Sequence, residues 1–299
     1  MGLVLSTPKR ARSAKTDVGA FGGEADWVTE AGGVIVARER ADTADGTVGK
    51  ALAVLDAVAA YGRPVRFGEL LSDSPFPKAT LYRLVQSLTK QGMLVFDPDR
   101  QTYAPGLRLV RLAHSAWQSA SLAPVARPYL EALSAEIGET IHLAQLDGGQ
   151  VLYVDKINAR APLKMYSQAG KVAPAYCTGV GKAMIAFLPD TQLDPILRQQ
   201  SYHAFTAQTL TTPEALRDEL RRIVARGHAY DGEEHEPGII CVSVPVLTRN
   251  GRVLGAVSVT SSTERTTLAG LDAHLPRIHS AVDHIAREAQ DWRFPDAAE

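Results

Sequence analysis

The stretch Pro77–Thr89, PKATLYRLVQSLT, decides the architecture of the chain. Leu81, Leu84, Val85 and Leu88 fall at i, i+3, i+4 and i+7, so a helix through this segment buries all four on one face. Ala79, Tyr82, Arg83 and Gln86 repeat the same spacing and face the opposite way, with Lys78, Thr80 and Lys90 around them. Pro77 suits the first helical position, where a missing N–H leaves no bond unmade. A helix buried on one side, with small, aromatic, cationic and amide groups on the other, matches the major groove of DNA. Charged outer faces are common on any helix, so the flanking segments carry the decision.

Upstream, Val48, Leu52, Leu55 and Ala59 define a helix that ends by Gly62, and Phe67–Leu71 a second, short one. Ser72-Asp73-Ser74-Pro75 is the turn into the Pro77 helix. Downstream, Gly92 stops that helix, and strands at Met93–Phe96 and Gln101–Tyr103 enclose Asp97-Pro98-Asp99-Arg100, the tip of a wing that presents Arg100. Helix, turn, helix and wing in this order predict a winged helix-turn-helix over residues 46–106. Its lysines and arginines outnumber its acids, although the whole chain carries a formal charge of only -1. Only one module is therefore expected to meet phosphates.

Further along, the spacing of Leu107, Val110, Ala113 or His114, and Trp117 predicts a linker helix, placed over 107–122. A second helix begins near Ala123-Pro124 and ends at Gly138. Alternation then takes over. Thr140–Leu146 and Val151–Ile157 read as strands around Asp147-Gly148-Gly149, and Val242–Leu247 and Val253–Thr260 as a second pair around Arg249-Asn250-Gly251. A third strand is expected at Leu163–Gln168. Helices are expected at Thr178–Leu188, from the N-cap Thr212 to Gly227, and at Leu268–Ala289. The fold class is α+β and multidomain, with an antiparallel sheet over 123–290, a flexible leader at 1–45 and a tail at 291–299.

At 299 residues the chain has room for about two domains. Two cysteines, Cys177 and Cys241, are too few for a disulfide scaffold or a zinc finger. No apolar run reaches the ~20 residues that span a bilayer. The basic residues Lys9, Arg10, Arg12 and Lys15 follow the short apolar patch at Gly2–Leu5, the reverse of a secretory signal. No membrane partner and a cytoplasmic location are expected.

These residues resemble the IclR family of bacterial transcription regulators. The segment from Thr47 to Leu109 is similar to the family's N-terminal module, and Gly227-x3-Asp231-x2-Glu234-x6-Cys241-x-Ser243 is similar to its C-terminal signature. The run Cys177-Thr178-Gly179-Val180-Gly181-Lys182-Ala183 resembles its glycine-containing loop and helix. The resemblance covers roughly Gly46–Ala289. It implies a GAF-like effector-binding domain, no cofactor, a homodimer or dimer of dimers, palindromic double-stranded DNA operators, and small carboxylate effectors. Repression is expected rather than activation. The linker helix would help pair the subunits.

Read from the residues alone, Ala175–Lys182 is a small-residue turn that opens a helix, where unpaired N–H groups attract carboxylates. Cys177 lies just ahead of that start, where a thiol pKa is expected to fall. Asp231, Cys241, Ser243, Ser258 and Thr260 lie on or beside strands able to face the turn. The resemblance implies polar or backbone effector contacts at Gly179, Val180, Asp231, Cys241 and Ser258, with Met165 and Ile239 as an apolar wall. Cys177 and Cys241 also read as buried small hydrophobes, and Asp231-Gly232 as a turn. Two other functions remain open here. Cys177, His142, His235 and Asp231 suit a thiol-dependent enzyme, and the same residues with Cys241 suit a metal sensor. A regulator without a ligand is a further alternative.

Overall fold

The computed structural model describes residues 46–161 and 163–290, with the backbone of two leader strands, β1 (Asp26–Thr29) and β2 (Ile35–Arg38). These two pair antiparallel, with Val28 opposite Val36. Val34, the remainder of the leader and the tail 291–299 lie outside the described residues.

The N-terminal module holds α1 (Gly46–Ala60), β3 (Val65–Arg66), α2 (Phe67–Asp73), α3 (Lys78–Lys90), β4 (Leu94–Asp97) and β5 (Thr102–Pro105). Leu81, Leu84, Val85 and Leu88 of α3 are buried against Val54, Leu55 and Val58 of α1 and against Leu94 and Tyr103 of the strands. Apolar spacing thus sets the rotation of α3 about its axis. Pro77 stands one position earlier than expected. It is the cap residue, and its carbonyl accepts the Leu81 N–H at 3.0 Å. The wing is three-stranded, in the order β3-β5-β4, with Arg66 opposite Thr102.

Two helices follow, α4 (Leu107–Ala120) and α5 (Ala123–Ile137). The C-terminal domain then builds one antiparallel six-stranded sheet from β6 (Thr140–Asp147), β7 (Gln150–Ile157), β8 (Val172–Pro174), β9 (Ala229–Gly232), β10 (Ile239–Leu247) and β11 (Val253–Ser262). Their order is β8-β7-β6-β11-β10-β9. The sheet divides two cores. On one side α5, α9 (Leu268–Asp272) and α10 (Leu275–Glu288) cover Ile141, Leu143, Val242, Val244, Val257 and Val259. On the other, α6 (Gly179–Ile185), α7 (Asp190–Gln199) and α8 (Pro213–Arg226) pack over Ala144, Tyr153 and Ala256. Among the described residues no helix is long and apolar enough to cross a membrane.

Three expectations need correction. Residues 163–168 form no strand. Their polar groups bond outside any ladder: the Tyr166 N–H donates to Glu236 at 3.0 Å, and the Ser167 carbonyl accepts from Lys156 at 2.7 Å. The sheet edge is taken by β8 instead, with Ala173 opposite Val151. The single helix expected at Leu268–Ala289 is two, α9 and α10, broken at Ala273-His274 just ahead of Pro276, which sits in the first turn of α10, where its missing N–H leaves no helical bond unmade. The helix expected at Thr178–Leu188 is shorter, closing at Ile185.

Candidate functional site

The outward face of α3 is free of the fold. Ala79, Tyr82, Arg83 and Gln86 are exposed, as are Lys78 and Lys90, and Thr80 is half-buried. Tyr82 is held by an edge-on contact with Phe67 of α2, with ring centroids 5.8 Å apart. The Gln86 amide donates to the Tyr103 hydroxyl at 3.3 Å, which ties the helix to the wing. At the wing tip Asp97 accepts from the N–H groups of Asp99 and Arg100 at 2.9 and 3.1 Å, a side-chain-closed turn that holds Arg100 outward. Beside it runs a cleft of about 750 Å³ lined by Arg63, Arg66, Asp99 and Arg100. Arg63 and Arg66 were not singled out from the sequence. The signal for them is β3, too short to read by alternation, which carries the basic pair of Arg63-Pro64-Val65-Arg66 to the wing.

In the C-terminal domain, alternation along the strands puts valines on the α5 side and polar groups on the α6 side. Register lines the polar groups into two rungs. Asp231 stands opposite Cys241, Cys241 opposite Thr260, and Thr260 opposite Thr140. In the next rung Ser243 stands opposite Ser258, Ser258 opposite His142, and His142 opposite Lys156. The rungs are knitted together. His142 Nδ1 lies 3.3 Å from Ser258 Oγ and 3.2 Å from Thr260 Oγ1, and its Nε2 lies 2.8 Å from Ser167 Oγ. Segment 163–168 is thereby fastened to the cluster; Met165 within it is buried, and Ile239 at the start of β10 is half-buried.

The start of α6 closes the cluster from above. A Cβ on Gly179 would come within 2.5 Å of Cys241 Sγ and 2.6 Å of Ser243 Oγ, so only glycine lets the helix sit on β10 here. Val180 and Cys177 are buried beside it. Lys182, from the same helix, is fully buried and paired with Glu234, whose N–H donates to Asp231 at 2.8 Å. The structure thus brings together Cys177, Gly179, Val180, Asp231, Cys241, Ser243 and Ser258. A separate cavity of about 370 Å³ lies at the outer edge of β9, among Lys182, Gln208, Glu219, Tyr230 and Glu234. None of the residues predicted to contact an effector lines it. It meets the polar cluster only at the Lys182–Glu234 pair.

Burial governs the charges. It raises Asp231 to about 7, helped by neighbouring Glu234, and lowers His142 to about 3, helped by Lys156. Cys241 is pushed up to about 12 by burial and by Asp231. Cys177 is raised as well, by burial first and then by Asp231 and Glu234, which reverses the expectation of a lowered thiol pKa. The helix start ahead of which it lies cannot offset complete loss of water. Both thiols are therefore neutral, so the cluster offers hydroxyl, imidazole and carboxyl groups for hydrogen bonding rather than a thiolate nucleophile. His235 is apart from them, packed against Tyr166 and Phe205 at 5.5 and 4.8 Å, with burial lowering its pKa to about 4. Among the described residues no group of three His, Cys, Asp or Glu is placed to hold a metal ion.

The chain matches the family model of the IclR helix-turn-helix domain over residues 47–98 and that of the bacterial transcriptional regulator IclR C-terminal domain over residues 114–287. It belongs to the IclR family. The HTH-type transcriptional regulator XynR of Escherichia coli (strain K12) is 32% identical over 219 residues, which cover 73% of this chain and 87% of that one. The transcriptional repressor IclR of the same organism is 27% identical over 220 residues, covering 73% and 80%. The fold is shared with an IclR homologue from Microbacterium hydrocarbonoxydans solved as a complex with 4-hydroxybenzoate. That structure is 19% identical, with a TM-score of 0.69 over 82% of this chain and 100% of that one. The winged helix-turn-helix and the α+β sheet domain are those of IclR-type, DNA-binding transcription regulators.

Proposed function

We propose that this IclR-family chain is a cytoplasmic repressor that binds a palindromic operator sequence-specifically, and that a small carboxylate metabolite modulates its grip. The observation that carries the reading is the face of α3. Arg83, Tyr82 and Gln86 project from a helix whose other side is locked into the core, a rigid presentation suited to base edges. Arg100, with Arg63 and Arg66 beside it, supplies cations where a wing would meet the phosphate backbone. Repression is the role in the name of the E. coli relative.

The polar rungs supply the effector half of the reading. Ser258, Thr260 and Ser243 offer hydroxyl donors, and Asp231, with a pKa raised to about 7, is half protonated near neutral pH and then donates to a carboxylate instead of repelling it. Met165 and Ile239 would supply the apolar wall that the family resemblance implies. The M. hydrocarbonoxydans homologue holds a carboxylate, 4-hydroxybenzoate, which agrees with this class. Raised thiol pKa values at Cys177 and Cys241 weigh against a thiol-dependent enzyme.

Pairing of subunits is supported by α4. None of its residues is buried, and Leu107, Val110 and Leu112 are 83%, 63% and 50% exposed. Such an apolar surface on a linker helix suits a homodimer or a dimer of dimers. The reading is tested by binding the full chain to the DNA flanking its own gene while small carboxylic acids are titrated in. Specific binding that one acid shifts supports it, and Arg83→Ala should then cost about 1–3 kcal/mol of specific affinity at fixed salt. Absence of specific binding at any salt concentration would sink it.

A further inference from the structure

Strict alternation along β7 would leave Tyr153 on the side of Asp155, which faces α5 and pairs with Arg127 at 3.1 Å. Tyr153 lies on the other side. The β6–β7 ladder shifts between Leu143 and Ala144, so that Leu143 stands opposite Asp155, Ala144 opposite Tyr153, and Val154 is the extra residue. A bulge turns the side chains beyond it to the opposite face. Here it carries Tyr153 into the polar cluster, where its ring packs 5.3 Å from His142.

Tyr153 is only 7% exposed as a residue, and its hydroxyl makes no hydrogen bond among the described residues, but that oxygen is not one of the fully enclosed unpaired atoms and keeps accessible surface. A tyrosine with an enclosed ring and an open hydroxyl presents a polar handle at the edge of an apolar body. Burial, then Cys241, Asp231, Cys177 and Tyr166 around it, hold the phenol protonated, a neutral group able to donate and accept. The bulge has a second consequence. The Val154 carbonyl accepts the indole N–H of Trp117 at 3.1 Å. Trp117 belongs to α4, the helix that leads back to the DNA-reading module. The residue next to the unpartnered hydroxyl is thus bonded directly to the linker.

We propose that the Tyr153–Val154 bulge is the effector-sensing element: Tyr153 recognises a second oxygen on the effector, making it a hydroxy- or oxo-acid, and Val154 passes the change to α4 through Trp117. This rests on the effector reading above. A hydrogen bond to this open hydroxyl on a buried ring rewards an acid that carries the extra oxygen over one that lacks it by roughly tenfold.

The test uses the full chain and two matched pairs, lactate with propionate and 4-hydroxybenzoate with benzoate, measured by calorimetry and by operator binding with and without acid. The oxygenated member of at least one pair should bind roughly tenfold tighter and shift DNA affinity. Tyr153→Phe keeps the ring on His142, so it should fold, melt no lower than the wild type without acid, and lose the preference. Trp117→Phe should keep both acid binding and the preference, but its DNA affinity should no longer respond. A Tyr153→Phe chain that still prefers the oxygenated acid, or a wild type that binds both members equally, overturns the recognition while leaving the effector reading intact. A Trp117→Phe chain that still responds overturns the relay. No binding of any acid to the wild type overturns both this inference and the effector reading.

Discussion

Asp231 shows how a single side chain takes its chemistry from its surroundings. As a free residue it would be ionised near neutrality, but enclosure beside Glu234 lifts its pKa to about 7 from the ordinary 3.8. Between those values the folded chain keeps a proton that the unfolded chain has lost. The resulting stabilisation is complete below about pH 4 and disappears as pH rises through 7, with a slope of at most about 1.4 kcal/mol per pH unit. Asp231→Asn should flatten this dependence, read as melting temperature between pH 4 and 8; an unchanged slope would mean that Asp231 is ionised throughout. Gly179 takes its role from proximity. Gly179→Ala puts a methyl group where Cys241 and Ser243 already stand. A loss of about 1–3 kcal/mol in denaturant unfolding is expected from such overpacking.

At the scale of the element, α3 is a rigid display. Leu84 is 6% exposed and anchors the inner face. Leu84→Ala should lower the stability of the reading module by about 2–5 kcal/mol and weaken DNA binding on all sequences alike. Arg100→Ala, at the exposed wing, should leave stability unchanged and reduce the salt dependence of DNA binding by about one counterion, seen in a plot of log affinity against log salt. An unaltered slope would place the wing away from the phosphates. The helix α8 had the clearest ends in the sequence, and both formed as read. Thr212 accepts the Ala215 N–H at 3.2 Å, and Gly227 closes the helix at φ 81°. Segment 163–168 was misread because alternation there reflects a cover with a buried underside, not a paired strand. Periodicity reports which side is buried, and a loop pinned over a cluster imitates a strand in that respect.

Across the whole molecule, the two modules are joined by a helix that buries none of its own residues. Exposed apolar residues on a connecting helix invite a partner, and under the proposed pairing a second copy would supply it with two-fold symmetry. Val110→Glu should move the chain toward monomer in sedimentation equilibrium and weaken operator binding, since two half-sites are then read separately. A variant that stays oligomeric would move the pairing surface elsewhere. The exposed Val48 and Leu52 of α1 are the next candidates.

The chain's own order of residues determined the reading helix, its buried and outward faces, the wing and the division into a valine side and a polar side of the sheet. These are consequences of period, 3.6 or 2, and period is a local property. It also supplied several members of the polar cluster, because Cys241, Ser243 and Ser258 alternate with valines or isoleucine. Tertiary structure alone decided what met what. The placement of β9 at the sheet edge set Asp231 against Cys241. The fully buried Lys182 became the partner of a glutamate far along the chain, Glu234, and the Cys177 thiol, whose pKa was expected to fall, was shut away from water. Most of all, one unpaired residue at Val154 moved Tyr153 to the other face. A bulge changes parity without changing composition, so no count of apolar and polar positions along β7 could have found it.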